Sequence, residues 1–142
     1  MDAKHYYTKW SLFGGALAGG PVVAGYLLSK NFSLLGDDLH SSYALWGGGI
    51  TALVAMSILI FMPDEWLTMT VGMAVAGFWP SLALSIYHRF QEDQLHVEVR
   101  EDLDPAPVWK VAVITILGLI VSILLSAILV VAIILSPLSI PG

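Results

Sequence analysis

The chain is expected to be an all-α polytopic membrane protein, with four transmembrane helices in one antiparallel bundle. Three observations lead there. Its 142 residues are 57% hydrophobic and only 12% charged. Nearly all the apolar residues fall in four runs, about 10–28, 43–62, 66–87 and 108–135, uncharged but for Lys110 near the start of the last. Each run is close to the ~20 residues a helix needs to cross ~30 Å of hydrocarbon. Trp10, Trp46, Trp66 and Trp109 stand at or near the starts of the runs, where an indole favours the boundary of lipid and water. A soluble domain this small would leave roughly a third of its unfolded surface exposed, so lipid must solvate most of that apolar area. Residues 1–142 then make a single domain. The first run is too long and too rich in glycine for a cleaved leader, and is expected to be retained.

In the first run, Gly15 and Gly19, like Ala16 and Gly20, are four residues apart. Small residues so spaced let a second backbone approach closely in lipid. Pro21 removes a backbone donor and should kink the helix past its middle. The run then either packs inside the bundle, lines a ligand cavity as a broken helix, or meets another subunit. Ser41 or Ser42 is expected to cap the second helix. Pro63-Asp64-Glu65 connects the second and third runs as a tight antiparallel hairpin, with Asp64 as N-cap. The third run carries Gly72, Ala76 and Gly77 at packing spacing, then Pro80, a second kink. Residues 88–107 form the main polar loop. Tyr87–Leu95 could prolong the third helix, whereas Leu95–Arg100 alternates with period two and suits a strand or extended arm. Asp104-Pro105-Ala106-Pro107 should halt regular structure. Gly118, Ser122 and Ser126 form the small-residue stripe of the last helix.

If all four helices alternate, Trp10 and Trp66 mark one membrane face, and Trp46 and Trp109 the other. Lys4 and Lys9 then oppose Lys30, Arg89, Arg100 and Lys110. Counting cations favours loops one and three in the cytoplasm and both termini outside.

The chain has no cysteine, which excludes disulfides, thiolate nucleophiles and cysteine-held metal or iron–sulfur sites. Its net charge of −5 offers no basic surface to nucleic acid. No ionisable residue lies within the runs at hydrocarbon depth, although proton-coupled transport and ion conduction generally need one there. Deep axial histidines for haem are missing as well. Gly47-Gly48-Gly49 has no following Lys-Ser/Thr and is packing material. Ser57, Ser81, Ser122 and Ser126 are expected to bond back to their own helices.

Three sets of residues are candidates for sites. His88, Glu92 and His96 are spaced i, i+4, i+8, so one helix face could present them to a divalent metal such as zinc. Asp37, Asp38 and His40 should emerge on the same side. Gly20, Ala24, Gly77 and Trp79 could bound an uncharged pocket left by the proline kinks. Gly15, Gly19, Pro21, Gly72, Ala76, Pro80, Gly118 and Ser122 are the expected packing positions.

Gly19-Gly20-Pro21-Val22-Val23-Ala24-Gly25-Tyr26-Leu27-Leu28, followed by Asn31-Phe32 and Leu35-Gly36, resembles a family of small four-span bacterial inner-membrane proteins. Gln94 and Trp109-Lys110 resemble its later part. The resemblance implies four helices and a bacterial inner membrane, and carries over no catalytic residue.

The function expected is therefore non-catalytic: an accessory, assembly or interaction subunit of a larger membrane complex. An alternative is a small binding or transport protein for an apolar ligand, lipid or quinone. A membrane-surface metalloenzyme built on His88, Glu92 and His96 is the third reading. No resident cofactor is expected beyond bound lipid. The expected partners are the bilayer and other membrane subunits or a second copy, with no nucleic acid.

Overall fold

A computed structural model describes residues 4–98 and 103–136 of the chain. Along it run β1 (Lys4–Tyr6), α1 (Lys9–Leu34), α2 (Asp38–Phe61), a 3-10 turn (Asp64–Trp66), α3 (Met69–Phe90), α4 (Glu92–Glu98), β2 (Leu103–Pro105) and α5 (Val108–Leu135). The architecture is an all-α bundle. Four helices, α1, α2, α3 and α5, are long and apolar enough to cross a membrane.

The path of α1 differs from a kinked rod. At Gly20 the backbone takes φ 68° and ψ −159°, a region open essentially to glycine alone. The helix restarts at Pro21, whose fixed φ and missing N–H suit a first helical position. The two halves lie back to back. Tyr7 and Asn31, 24 residues apart, share two hydrogen bonds of 2.8 Å, whereas a continuous helix would separate them by ~36 Å. A methyl group added at Gly15 would come within 2.7 Å of Leu27 Cδ1 and 3.2 Å of Val23 Cγ1. Leu12, Gly15, Ala16 and Gly19, one face of the first half, are buried against Val23, Leu27 and Leu28 of the second. The small-residue groove of the first run is thus filled by the same run, folded in two at Gly20.

This fold-back corrects the expected alternation of faces. Each half of α1 is only about 16–21 Å long at ~1.5 Å per residue, short of the ~30 Å of hydrocarbon, and both ends of the hairpin lie at one face of the bundle. Three further contacts tie that face together. β1 pairs in parallel with β2, Lys4 opposite Leu103 and Tyr6 opposite Pro105. The Ala106 N–H donates to Tyr6 O at 2.8 Å. Asn31 Nδ2 donates to Gln91 Oε1 at 3.2 Å, and Gln91 Nε2 to Leu28 O at 3.1 Å. The amino terminus, loop one and loop three therefore share a face. Trp10 and Trp109 mark it, Trp66 marks the opposite one, and Trp46 lies about two turns inside α2.

α1 is the centre of the bundle, with α2, α3 and α5 gathered around it. Its second half meets α2 at a glycine–glycine crossing. A Cβ at Gly25 would lie 2.5 Å from Ala44 O, and one at Gly48 2.6 Å from Pro21 O and 2.9 Å from Gly25 Cα. Neither obstacle is a movable side chain, so Gly48→Ala should cost about 1–3 kcal/mol of stability, the usual penalty of overpacking. Gly25→Ala should cost a similar amount, and the double variant less than the sum because both methyls force apart the same contact. A denaturing-detergent titration reads all three. On α5, Gly118 accommodates Val23 in the same manner.

Local structure departs from several expectations. α1 ends in a Schellman motif around Gly36, φ 75°, with Asp37 N donating to Phe32 O at 3.0 Å and Gly36 N to Ser33 O at 3.2 Å. Asp37, rather than Ser41 or Ser42, caps α2, accepting from His40 N at 3.0 Å. Thr68, rather than Asp64, caps α3, because Asp64 opens the 3-10 turn and the link to α3 is longer than three residues. The expected arm at Leu95–Arg100 is instead helical through Glu98. Glu92 and Asp93 favour the helix start, and Leu95 is fully buried in the core that also holds Tyr87, Leu12 and Ala106. The strand forms later, at Leu103–Pro105. Val99 and Arg100 lie outside the described residues.

Candidate functional site

Folding α1 in two sets the membrane interior. A cavity of about 290 Å³ lies between the second half of α1, α2 and α3, and its walls include Ala24, Trp79, Leu82 and Ala83. A second, also about 290 Å³, sits at the hairpin tip against Gly20, Met56, Ala76 and Trp79. A third, about 330 Å³, runs between α1, α2 and α5 past Val22, Tyr26 and Gly118. Of the four residues expected to bound a pocket, Ala24 and Trp79 share the first cavity, and Gly20 and Trp79 the second. Gly77 lines none of the three and is exposed.

The first cavity opens at the face shared by loops one and three. His40 stands at that mouth, on the first turn of α2, with its ring stacked 5.5 Å from Phe32 and tilted 6.0 Å from Phe90. Rings from α1, α2 and α3 thus meet there. His40 Nδ1 lies 2.6 Å from Asp37 Oδ2, which fixes the ring and leaves Nε2 as the nitrogen available to a ligand. The backbone N–H of His40, together with its ring, holds the Asp37 carboxyl below the usual carboxylate range. The far end of the cavity is apolar. Thr51 turns its hydroxyl back to Gly47 O at 2.5 Å.

The expected metal residues give a pair. His88 Nδ1 bonds Glu92 Oε2, and His96 belongs to α4, although its side chain lies outside the described residues. Among the described residues no three His, Cys, Asp or Glu side chains gather as a metal would need.

The packing positions separate into two groups. Gly15, Gly19 and Pro80 are buried, Gly118 is buried against Val23, and Pro21 is half-buried at the hairpin turn. Gly72 and Ala76 are exposed, with nothing within 4 Å of an added Cβ at Gly72. Ser57 and Ser81 bond back to Leu53 O and Gly77 O, each at 2.8 Å. Ser126 bonds Ser122 O at 2.8 Å and also reaches Met56 Sδ of α2 at 3.1 Å.

The buried clasp of Asn31, Gln91 and Tyr7 was not singled out from sequence. Asn31 and Gln91 are both 0% exposed. The single Asn of the chain, at the end of an apolar run, was the available signal, since a polar amide there has to find partners; Gln91 shares its segment with Gln94 and did not stand out. Burial, with a smaller contribution from Tyr26, raises the Tyr7 hydroxyl above its ordinary pKa. The clasp's amide groups are matched to one another and to backbone, which suits a structural lock.

Comparison with known proteins adds no relative. No family model matches the chain, and neither a curated protein nor a solved structure is similar to it.

Proposed function

We propose that this integral membrane protein is a non-catalytic subunit of a larger membrane complex, in keeping with its silent interior. One observation carries the reading: the three helices around α1 bury almost nothing. The buried residues of α2 are Gly48 and Ala52, that of α5 is Gly118, and those of α3 are Pro80, Ala83 and Tyr87. Each half of the α1 hairpin is shorter than the hydrocarbon is thick, so α2, α3 and α5 lack a central partner over part of their length. On α3, Gly72 and Gly77 face outward, with open space around both. Such positions admit the backbone of another helix, which is how helices associate in lipid.

Charge supports an orientation. With α1 folded back, Lys4, Lys9, Lys30, Arg89 and Lys110 all stand at one face, while the link opposite carries Asp64 and Glu65. The sixth cation, Arg100, is outside the described residues. An excess of Lys and Arg in short loops marks the cytoplasmic side, so the amino terminus and loops one and three belong in the cytoplasm. A bacterial inner membrane fits the resemblance of the first run.

Native mass spectrometry of the tagged protein, released gently from its own membranes, tests the subunit reading. Other chains bound at fixed ratio support it. A lone chain, or a homodimer, overturns it.

A further inference from the structure

We propose that the cavity between α1, α2 and α3 binds a quinone or quinol, a planar uncharged ring with hydrogen-bonding oxygens on an apolar tail. The cavity runs along α2, a helix long and apolar enough to cross a membrane. From His40 at the mouth to Thr51 at its far end, both lining it, α2 rises ~16 Å, which is about half the hydrocarbon thickness. The ligand therefore has its polar part at the interface and its apolar part at depth.

The mouth decides the head. No Lys or Arg lines the cavity, and the ionised Asp37 beside His40 disfavours a second negative charge, so an anionic phospholipid head is a poor occupant. The mouth offers flat groups instead. The His40 ring centroid lies 5.5 Å from that of Phe32 and 6.0 Å from that of Phe90, and Tyr43 meets His40 edge to face at 6.4 Å. Aromatic faces favour an offset planar ring. Asp37 engages Nδ1, so Nε2 can accept from a quinol hydroxyl, or donate to a quinone carbonyl when the imidazole is protonated. Below this, Ala24, Leu82, Ala83 and Trp79 leave an uncharged slot for the tail. A volume of about 290 Å³ is at the lower limit of small-molecule sites, and it admits the ring and the first part of a tail whose remainder stays in lipid. This inference is independent of the subunit reading.

Trp79 lines the cavity and can report on it. In a variant with Trp10, Trp46, Trp66 and Trp109 replaced by Phe, reconstituted in nanodiscs, a benzoquinone with a ten-carbon tail should quench Trp79 along a saturating curve. Ala83→Phe should fill the slot and leave only the linear quenching of a lipid-dissolved quinone. His40→Phe keeps a ring but loses the hydrogen bond, and should weaken binding about tenfold. Leu125→Phe, in the cavity beside α5, should change nothing and shows that an added ring is tolerated by the fold. A twelve-carbon alcohol should not displace the quinone. Linear quenching in the parent, saturation unchanged by Ala83→Phe, or displacement by the alcohol at equal concentration would each overturn the assignment. If Ala83→Phe fails to fold, the His40→Phe and alcohol results decide.

Discussion

Gly20→Val is expected to be the most damaging single substitution outside the buried clasp. The backbone at Gly20 lies in a region essentially reserved for glycine, and a residue with a Cβ there costs about 1–3 kcal/mol before side-chain branching is counted. Straightening α1 relieves the strain but carries Tyr7 away from Asn31 and opens the face on which Leu12, Ala16 and Leu27 are buried. Both routes destabilise the protein. Gly14→Val is a suitable control, because Gly14 has nothing within 4 Å of an added Cβ. Detergent-unfolding curves should show a large loss for Gly20→Val and a small change for Gly14→Val. Equal curves would mean that the turn at Gly20 is not needed.

Asn31→Leu should be comparably severe. It leaves the Tyr7 N–H, the Tyr7 carbonyl and Gln91 Oε1 without their partner, and each buried unsatisfied group costs ~1–3 kcal/mol. A loss of about 3–5 kcal/mol is expected. Asn31→Asp keeps the acceptor but sets an anion against the Gln91 carbonyl oxygen, and should be no milder. Gln91→Leu alone orphans one Asn31 N–H, whereas Leu28 O keeps its helical partner. The double variant Asn31→Leu with Gln91→Leu should cost less than the sum, because the second change removes a group that the first left unpaired. Additive losses would show that the two amides act separately.

The all-α bundle was legible because lipid imposes a simple rule: long uncharged runs become helices whatever their neighbours do. The path of the first run was harder to see. Gly19-Gly20-Pro21 reads equally well as a kink or as a reversal. The difference lies in contacts between Tyr7 and Asn31 and between β1 and β2, which bring together residues distant in sequence. The same blindness reversed the placing of Lys4 and Lys9, and so reduced a one-sided charge distribution to a narrow margin. At the loop-three end, period-two alternation favoured an arm, but Leu95 joins the buried core and the segment is helical through Glu98. Of the candidate site, Ala24 and Trp79 could be read from the two prolines near them. His40, Phe32 and Phe90 meet only once three helices are assembled.

The most direct test of the folded-back α1 is cysteine accessibility, and the absence of native cysteine makes every introduced thiol unique. Lys9→Cys, Ser33→Cys, Glu65→Cys and Asp104→Cys would each be labelled with an impermeant maleimide in right-side-out and inside-out vesicles. The account predicts that Lys9→Cys, Ser33→Cys and Asp104→Cys react in inside-out vesicles, and that Glu65→Cys reacts in right-side-out ones. Labelling of Lys9→Cys together with Glu65→Cys, from the side opposite Ser33→Cys, would mean that α1 crosses the membrane, and would contradict it.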